Sequence, residues 1–379
     1  MHLNELQQHL QKLATLEEAP EPIVNCYLNV DAKYCKALTD QVRALTTKMS
    51  PEARVSFWEA LGRIEVFLGT KIRAGSKGAA IFARGGNRPF FLPLQFGAPL
   101  PNRITISHAP QIYPLVELRD NYYRYVVLVT SEESASILEL NVGTITEAIR
   151  LVRPDLRQRV GREWTKEHYQ SHSYARNQQF INSQIRSLDQ VIAPGEYKHL
   201  ILAGDGRAVA QLNRALPKRL SSMVISTIRA SDKDKTSDIV SASLDAFEEH
   251  EEIESLSVVS KLGFEIGTNG AAVKGTQACI EALRDGRAHI LIMSQDYDPG
   301  MGSCCRSCHE LLTENPVSCP RCIRPVLHPV DIKEEMVRMA EQTHSAIEIV
   351  KTSDAMNAFA GVGCLLRYRT PEKGRRCAA

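Results

Sequence analysis

The sequence lacks several features that assign a chain to a class at once. No apolar run in its 379 residues reaches the roughly 18 residues needed to span a bilayer. The first residues form an amphipathic pattern without the apolar core of a signal peptide. The formal net charge is only +2, so affinity for a nucleic acid must come from local patches rather than from a global field. We therefore predict a cytoplasmic protein with no membrane partner.

A disulfide framework and a nucleotide-binding loop are also missing. Five of the ten cysteines lie between Cys304 and Cys322 and the others are scattered, which is typical of a metal site rather than of disulfide staples. The glycines between Gly267 and Gly275 lack the spacing of a phosphate loop and predict turns. We predict no small-molecule substrate.

The pattern of elements predicts a multidomain protein of mixed α+β and α/β class. Residues 1–118 predict an α+β domain with a helix pair broken at Ser50 and Pro51, where Ser50 is the expected N-cap. A hairpin follows, and its turn carries Arg84 and Arg88. These two arginines either contact phosphate or simply keep the hairpin end soluble. Residues 119–245 and 246–379 predict a central and a C-terminal domain, and the latter includes a helix from Ala271 to Leu283.

The central domain begins with three strands separated by short polar turns, and strands alternate with helices after them. This order favours a mixed sheet with helices on both faces, as in ribonuclease-H-like domains. Metal nucleases of that architecture need a carboxylate on the first strand, and Tyr125–Thr130 has none. Asp205 is better explained as the cap of the following helix. Nuclease chemistry is therefore not expected.

A basic arm, residues 150–176, interrupts the central domain before a helix predicted from Ala175 to Ile192. From Arg150 to Arg186 the chain has eight Arg or Lys against three acids, together with aromatic rings. Cations neutralise phosphates and planar rings stack on bases, so this mixture suits an RNA surface. A solvated loop with aromatic anchors is the alternative. The candidate RNA contacts in the arm are Arg157, Arg159, Arg162, Lys166, His168, Tyr169, His172, Tyr174 and Arg176.

The most specific signal is a pair of Cys-x-x-Cys motifs in the segment 304–328. Cys305 and Cys308 are separated by ten residues from Cys319 and Cys322. Four thiolates in this spacing predict tetrahedral Zn²⁺ coordination in a zinc-ribbon insertion. Four protein ligands leave no open position for water, so the ion is expected to be structural. Three alternatives remain open, with Cys304 in place of Cys305, or His309 or His328 in place of a thiolate.

The order of these parts from about Tyr122 onward resembles the archaeo-eukaryotic class-one peptide release factors and their relative Pelota. The likeness rests on four features of the sequence: the strand meander, the arm with its long helix, the cysteine insertion and the strand-rich ending at Tyr368. The first domain is similar to that of the bacterial branch, which includes the hibernation factor Balon. The resemblance implies an L7Ae-like C-terminal domain and binding in the ribosomal A site, against 16S and 23S rRNA of the 70S particle. It also implies an elongation-factor-Tu-type GTPase as a partner.

Two family motifs are missing from this chain. Release factors carry Gly-Gly-Gln at the tip of the central arm, whereas the one adjacent glycine pair here is Gly85–Gly86 in the first domain. The stop-codon-reading motif Asn-Ile-Lys-Ser is also absent. We therefore expect a non-catalytic ribosome hibernation factor, active under stress, that occupies the A site with its arm at the peptidyl-transferase centre. The alternatives are peptidyl-tRNA hydrolysis that uses Gln178 or Gln179, and a rescue adaptor without chemistry.

Overall fold

The computed structural model describes residues 3–30, 34–47, 49–73, 76–121, 124–141, 144–153, 166–193, 197–231 and 234–369. The chain forms two compact units. One consists of Asn121–Leu256, and the other of Met1–Asp120 together with Ser257–Ala379. The predicted division into three domains, with boundaries near residues 118 and 245, stays a prediction. In the described part of the chain, no helix combines the length and the apolar character that crossing a membrane requires.

The first 121 residues build a four-stranded antiparallel sheet covered by helices. The elements are α1 (Leu3–Ala14), β1 (Ile23–Asn29), α2 (Tyr34–Thr46), α3 (Pro51–Thr70), β2 (Gly78–Arg84), β3 (Phe90–Phe96), β4 (Arg103–Ser107) and α4 (Tyr113–Asn121). The strand order is β3-β2-β1-β4. Ser50 caps α3 by accepting a hydrogen bond from the N–H of Ala53, as the sequence predicts. The predicted hairpin is β2 paired with β3.

The unit Asn121–Leu256 is a five-stranded mixed sheet with helices. Its elements are β5 (Arg124–Thr130), β6 (Ser134–Asn141), β7 (Thr144–Val152), α5 (Lys166–Ile192), β8 (His199–Gly204), α6 (Gly206–Ala215), α7 (Lys218–Ser221), β9 (Val224–Arg229) and the first part of α8 (Thr236–Gly267). The order is β7-β6-β5-β8-β9. β5, β6 and β7 pair antiparallel, whereas β8 runs parallel to β5 and to β9. This is the mixed sheet predicted for a ribonuclease-H-like domain.

The central strand of this sheet is buried on both faces. Val126 and Leu128 belong to the core on the α5 side, and Tyr125 and Val127 to the core that contains Phe247 of α8. Consecutive side chains of a strand point to opposite faces, so a strand that is apolar throughout requires cover on both sides. The apolar run of β5 therefore determines that helices lie on both faces.

The chain after α8 forms a second mixed sheet and a small three-stranded insertion. The elements are β10 (Ala272–Lys274), α9 (Thr276–Arg284), β11 (Ala288–Ser294), β12 (Met301–Cys305), β13 (Leu311–Leu312), β14 (Leu327–Asp331), α10 (Ile332–Gln342), β15 (Ala346–Val350), α11 (Asp354–Asn357) and β16 (Val362–Leu366). The larger sheet has the order β10-β16-β11-β15 and the insertion β13-β12-β14. Two mixed sheets and two antiparallel sheets, with helices packed on them, confirm the predicted α+β and α/β multidomain class.

One predicted helix is wrong at its start. The sequence favours a helix from Ala271, but Ala272–Lys274 is a strand that pairs antiparallel with β16. Gly275 has a φ of +81°, which is incompatible with a right-handed helix, and α9 begins only after it. The predicted end is correct, because Gly286 has the positive φ of a helix C-terminal glycine.

Within the unit Met1–Asp120 with Ser257–Ala379, three carboxylates attach α4 to helix α10 and strand β15. Glu334 accepts a hydrogen bond from the N–H of Tyr113, the first residue of α4, at 2.8 Å. Asp120 accepts one from the N–H of Ile349 in β15 at 2.9 Å. Glu341 pairs with Arg119 at 2.7 Å and accepts from Gln7 of α1. A buried carboxylate at a helix N-terminus satisfies orphan N–H groups, so these contacts fix α4 at both ends.

We expect Glu334→Gln to flatten the dependence of unfolding on pH between about 4.5 and about 7. Burial raises the pKa of Glu334 from 4.5 to about 7, so in this range the folded chain binds more protons than the unfolded chain. Stability is then highest at low pH and falls as pH rises through about 7, by on the order of 3 kcal/mol for this group. Glutamine keeps an acceptor for Tyr113 but does not titrate. Chemical denaturation across this pH range measures the effect.

The control is Glu65→Gln, which removes an exposed carboxylate of α3. It should leave the slope of stability against pH unchanged. Asp120, whose pKa burial also raises to about 7, keeps part of the slope in Glu334→Gln. An unaltered slope in Glu334→Gln would show that Glu334 does not titrate in this window.

Candidate functional site

The basic arm is shorter than the sequence suggests, because regular structure extends into it from both ends. Strand β7 continues to Val152, and α5 already begins at Lys166 rather than at Ala175. A helix needs no apolar period where it leaves the core, which is why the polar sequence before Ala175 concealed its first nine residues. Arg157, Arg159 and Arg162 lie outside the described residues, and their assignment to RNA binding stays a prediction.

The N-terminal half of α5 carries the remaining arm candidates. Lys166, His168, Tyr169 and His172 lie on this helix. Tyr174 is 67% exposed, and none of the described side chains from Ser173 to Gln179 is buried. At 1.5 Å per residue, the stretch from Lys166 to Gln179 is roughly 20 Å long. An exposed ring such as that of Tyr174 is free to stack on a base.

The other half of α5 anchors the arm in the core. Phe180, Ile181 and Leu188 are buried, as the helical period predicts, whereas Ile185 and Val191 are only partly buried. Gln184 is 1% exposed and accepts a hydrogen bond from the hydroxyl of Thr130 in β5 at 3.0 Å. A buried amide needs such a partner, so this bond fixes the rotation of α5 on the sheet. Sequence reasoning missed Gln184, because a polar residue on an apolar face gives no positive signal.

The hairpin arginines are placed differently from each other. Arg84 is only 4% exposed and donates to the carbonyl oxygen of Glu17 at 3.3 Å. Arg88 lies at the surface, 3.5 Å from the carboxylate of Glu17. Glu59 and Glu21 accept hydrogen bonds from the N–H groups of Gly86 and Asn87 at the hairpin turn. Acidic partners on three sides offset the positive charge of the turn. The assignment of Arg84 and Arg88 to RNA binding stays a prediction.

The four predicted thiols converge in the insertion. The sulfurs of Cys305, Cys308, Cys319 and Cys322 all lie within 4.8 Å of one another, with Cys305 to Cys322 and Cys308 to Cys319 both at 3.5 Å. Metal–sulfur bonds of about 2.3 Å in a tetrahedron place ligand sulfurs roughly 3.8 Å apart. The four cysteines therefore fit a metal ion, and a closed set of thiolates would give it a structural role.

The two Cys-x-x-Cys loops have the same turn. The residue after each second cysteine, His309 and Ile323, has a positive φ, of 55° and 61°. Each donates its N–H to the carbonyl oxygen of the first cysteine of its loop, Cys305 or Cys319, at 2.8 Å. The N–H of Ser307 also points at the Cys305 sulfur. Burial raises the pKa of the Cys305 thiol, whereas hydrogen bonds to its sulfur lower it. The hydrogen bonds have the larger effect, and the resulting pKa of about 7 favours the thiolate.

Strand geometry explains why Cys304 and the histidines are not in the cluster. Cys304 and Cys305 are consecutive in β12, so their side chains point to opposite faces of the sheet. His328 is the cross-strand partner of Cys304, and its ring packs edge-on against His108 with centroids 5.0 Å apart. His309 takes part in the turn of the first cysteine loop through its backbone N–H, which donates to the carbonyl oxygen of Cys305. The described residues thus favour the four predicted cysteines over the three alternatives.

An acidic residue joins the insertion to the rest of its sheet. The buried carboxylate of Glu310 pairs with Arg284 of α9 at 2.7 Å and with Arg321 of the second cysteine loop at 2.9 Å. Arg306 of the first cysteine loop lies 3.2 Å from His108. These contacts position a segment whose described core is small.

The match to a family model agrees with this architecture. Residues 110–248, the segment that contains the mixed sheet and α5, match a domain of the archaeo-eukaryotic release-factor class. The matching model is that of bacterial archaeo-eukaryotic release factor family 10, and the match covers this segment of the chain. The predicted resemblance to archaeo-eukaryotic release factors is confirmed by this match.

Similarity to individual proteins is more distant. Peptide chain release factor subunit 1 of Pyrococcus abyssi is 24% identical over 206 residues, which cover 47% of this chain and 49% of the relative. The match thus spans about half the length of that protein. A solved structure of Dom34 from Saccharomyces cerevisiae, a translation termination-like factor that interacts with Hbs1, has 10% identity and a TM-score of 0.46 over 78% of this chain and 80% of Dom34. Archaeal Pelota, from a structure with the ribosome and ABCE1, has 11% identity and a TM-score of 0.41, with 97% and 95% coverage.

We expect Cys319→Ser to lose its bound metal ion. Removal of one of four thiolates opens the coordination sphere, and because metal binding contributes to folding, the insertion should lose protection from proteolysis. Elemental analysis after dialysis against a weak chelator measures the ion, with one per chain in the unmodified protein.

The matched control is Cys304→Ser, which changes the adjacent buried cysteine on the opposite strand face. It should retain the ion. If Cys304→Ser loses metal and Cys305→Ser retains it, the ligand set is the alternative one.

Proposed function

We propose that this protein is a non-catalytic ribosome-binding factor that occupies a vacant A site and keeps the ribosome inactive. One observation carries the proposal: residues 110–248 match the model of a release-factor family, yet they contain no pair of adjacent glycines and hence no Gly-Gly-Gln. A loop needs such glycines to bring its backbone close to an ester. A protein that keeps the family's domain without this loop can bind where a release factor binds and leave the peptidyl-tRNA intact.

The arm supplies the RNA contacts in this proposal. Basic residues Arg157, Arg159, Arg162 and Lys166 would contact phosphates and position the arm near the peptidyl-transferase centre. Tyr174 and Arg176 of α5, together with His168, Tyr169 and His172, would contact 23S rRNA or the P-site tRNA end. The exposure of Tyr174 supports this role. The hairpin with Arg84 and Arg88 is a weaker candidate for 16S rRNA, because Glu17, Glu21 and Glu59 surround its turn.

Two further parts of the proposal concern the ion and the partner. Four thiolates select Zn²⁺ over harder ions, so we propose structural zinc at Cys305, Cys308, Cys319 and Cys322. The proposed partner is an elongation-factor-Tu-type GTPase, as the resemblance to release factors and Pelota implies. The site of action would then be the cytoplasm, under stress conditions that leave A sites empty.

The first test is co-sedimentation with 70S ribosomes across a salt series. A variant with Arg157, Arg159, Arg162 and Lys166 changed to Glu should pellet less than the unmodified chain at every salt concentration. Phosphate contacts release counterions, so the loss of four of them should reduce the slope of log affinity against log salt by roughly 3. Occupation of the A site by tRNA beforehand should prevent binding of the unmodified chain.

The control variant carries the same charge change at four exposed positions elsewhere, Arg54, Arg214, Lys218 and Lys261. It should bind as the unmodified chain does. Equal pelleting of the arm variant and this control would refute the role of the arm, and an unchanged result on tRNA-filled ribosomes would refute the A site. Addition of the GTPase with a non-hydrolysable GTP analogue should increase the pelleted fraction if it is the partner.

The alternative, hydrolysis of peptidyl-tRNA, makes a different prediction for Gln178 and Gln179. Both lie inside α5, where the backbone is hydrogen-bonded within the helix and cannot approach an ester as a loop can. We expect no release of peptide from stalled complexes above the rate without protein. Release that disappears in Gln178→Ala or Gln179→Ala would establish the enzyme instead. A rescue adaptor would bind without release but would promote subunit splitting when a splitting factor is added.

A further inference from the structure

A second group of metal-ligand side chains lies in the unit Asn121–Leu256. His199 is the first residue of β8, and His250, Glu251 and Glu254 lie on α8. One ligand atom each of His199, Glu251 and Glu254 lies within 4.8 Å of the other two. Strand and helix therefore bring His199 together with two glutamates that lie about fifty residues later in the sequence.

The distances between these atoms are close to those of an ion site. The Nε2 atom of His199 lies 3.7 Å from a carboxylate oxygen of Glu251. Ligands bonded at about 2.1 Å to one ion lie roughly 3 to 4.2 Å apart, so small rotations of the two glutamates would close the set. The Nε2 atom of His250 lies 3.4 Å from a carboxylate oxygen of Glu254. His250 is not one of the three ligands, but this contact orients the carboxylate of Glu254.

The imidazole of His199 is held in place and kept available as a ligand. Phe247 packs edge-on against it, with centroids 5.4 Å apart, and Phe247 stacks on the buried Tyr125 at 4.8 Å. Burial lowers the pKa of His199, with Glu254 raising it and His250 and Lys198 lowering it. A neutral imidazole is the form that binds metals.

We propose that His199, Glu251 and Glu254 bind a divalent first-row transition ion that ties α8 to the start of β8. Two carboxylates and a neutral imidazole carry a charge of −2, which the ion neutralises. Imidazole and carboxylate donors suit Zn²⁺, Mn²⁺ and Fe²⁺, whereas the cysteine cluster suits softer ions. Glu254 is the most exposed of the three and Glu251 and His199 are largely covered, so the site opens to solvent on one side. Water fills the remaining coordination positions. The site does not depend on the proposed function.

Simple pairing between the imidazoles and carboxylates is the competing explanation. His199 with Glu251 and His250 with Glu254 would then be two ion pairs whose strength depends on histidine protonation. Such pairs weaken above neutral pH, when imidazole loses its charge. A metal site gains affinity in the same direction, because its histidine ligand must be deprotonated. Ion pairs alone give no ion binding that depends on all three side chains, so saturable binding that is lost when any of them is replaced separates the two explanations.

The experiment uses the full chain with its cysteine cluster loaded with zinc and weakly bound ions removed by dialysis. Mn²⁺ is the probe, because it prefers oxygen and imidazole donors and does not displace zinc from thiolates. Loss of the free Mn²⁺ signal in electron paramagnetic resonance counts the bound ion. We expect one saturable equivalent per chain, tighter at pH 8 than at pH 6, displaced by Zn²⁺, and an increase in melting temperature with Mn²⁺ concentration.

Three variants define the ligands. Glu251→Gln with Glu254→Gln removes both carboxylates, and His199→Ala removes the imidazole. Each should weaken Mn²⁺ binding at least tenfold. Glu248→Gln with Glu249→Gln makes the same charge change at exposed positions of the same helix and should bind as the unmodified chain does.

The proposal fails if the unmodified chain shows no saturable equivalent at millimolar Mn²⁺, an outcome that needs no variant to fold. It also fails if the Glu251/Glu254 double variant binds as tightly as the Glu248/Glu249 control. Mn²⁺ binding that His199→Ala retains at full strength would show that the imidazole is not a ligand and would overturn the site.

Discussion

Burial of β5 on both faces is the constraint on which the unit Asn121–Leu256 depends. Its central residues, Tyr125 to Leu128, are fully buried, and burial of each such side chain contributes about 1.5 to 3 kcal/mol. Helices on both faces follow from this requirement. The arm leaves at the end of β7 and returns through α5, whose C-terminal half packs on β5. Since its exposed half contributes little to the core, its sequence can change without loss of the fold.

The insertion with the cysteines also has little apolar core of its own. Its two loops have short strands and few buried apolar residues, so metal binding is expected to supply much of their folding free energy. Glu310, held by Arg284 and Arg321, connects that ion-dependent segment to a sheet with a conventional core. The proposed ion at His199 would have a different role, because Tyr125 and Phe247 already provide a packed core beneath it.

Sequence patterns predicted the parts whose signal is local. The spacing of the cysteines, the three-strand meander, the Ser50 cap and the apolar period from Phe180 to Leu188 all follow from neighbouring residues, and the structure has each of them. The predicted start of α5 at Ala175 was wrong, because the part of a helix that extends beyond the protein core carries no apolar period. The helix predicted from Ala271 was wrong because pairing with β16, nearly a hundred residues away, outweighs local helix propensity.

The sequence by itself determined the class of fold, the four thiols and the absence of Gly-Gly-Gln, because each depends on residue identity and short spacing. The tertiary structure decided that Arg84 is buried beside Glu17, that Glu334 caps α4, and that His199 meets Glu251 and Glu254. Each of those contacts joins residues more than fifty positions apart. The packing of whole helices and strands decides which residues meet in these contacts. The alternating pattern of a strand and the period of a helix do not encode that packing.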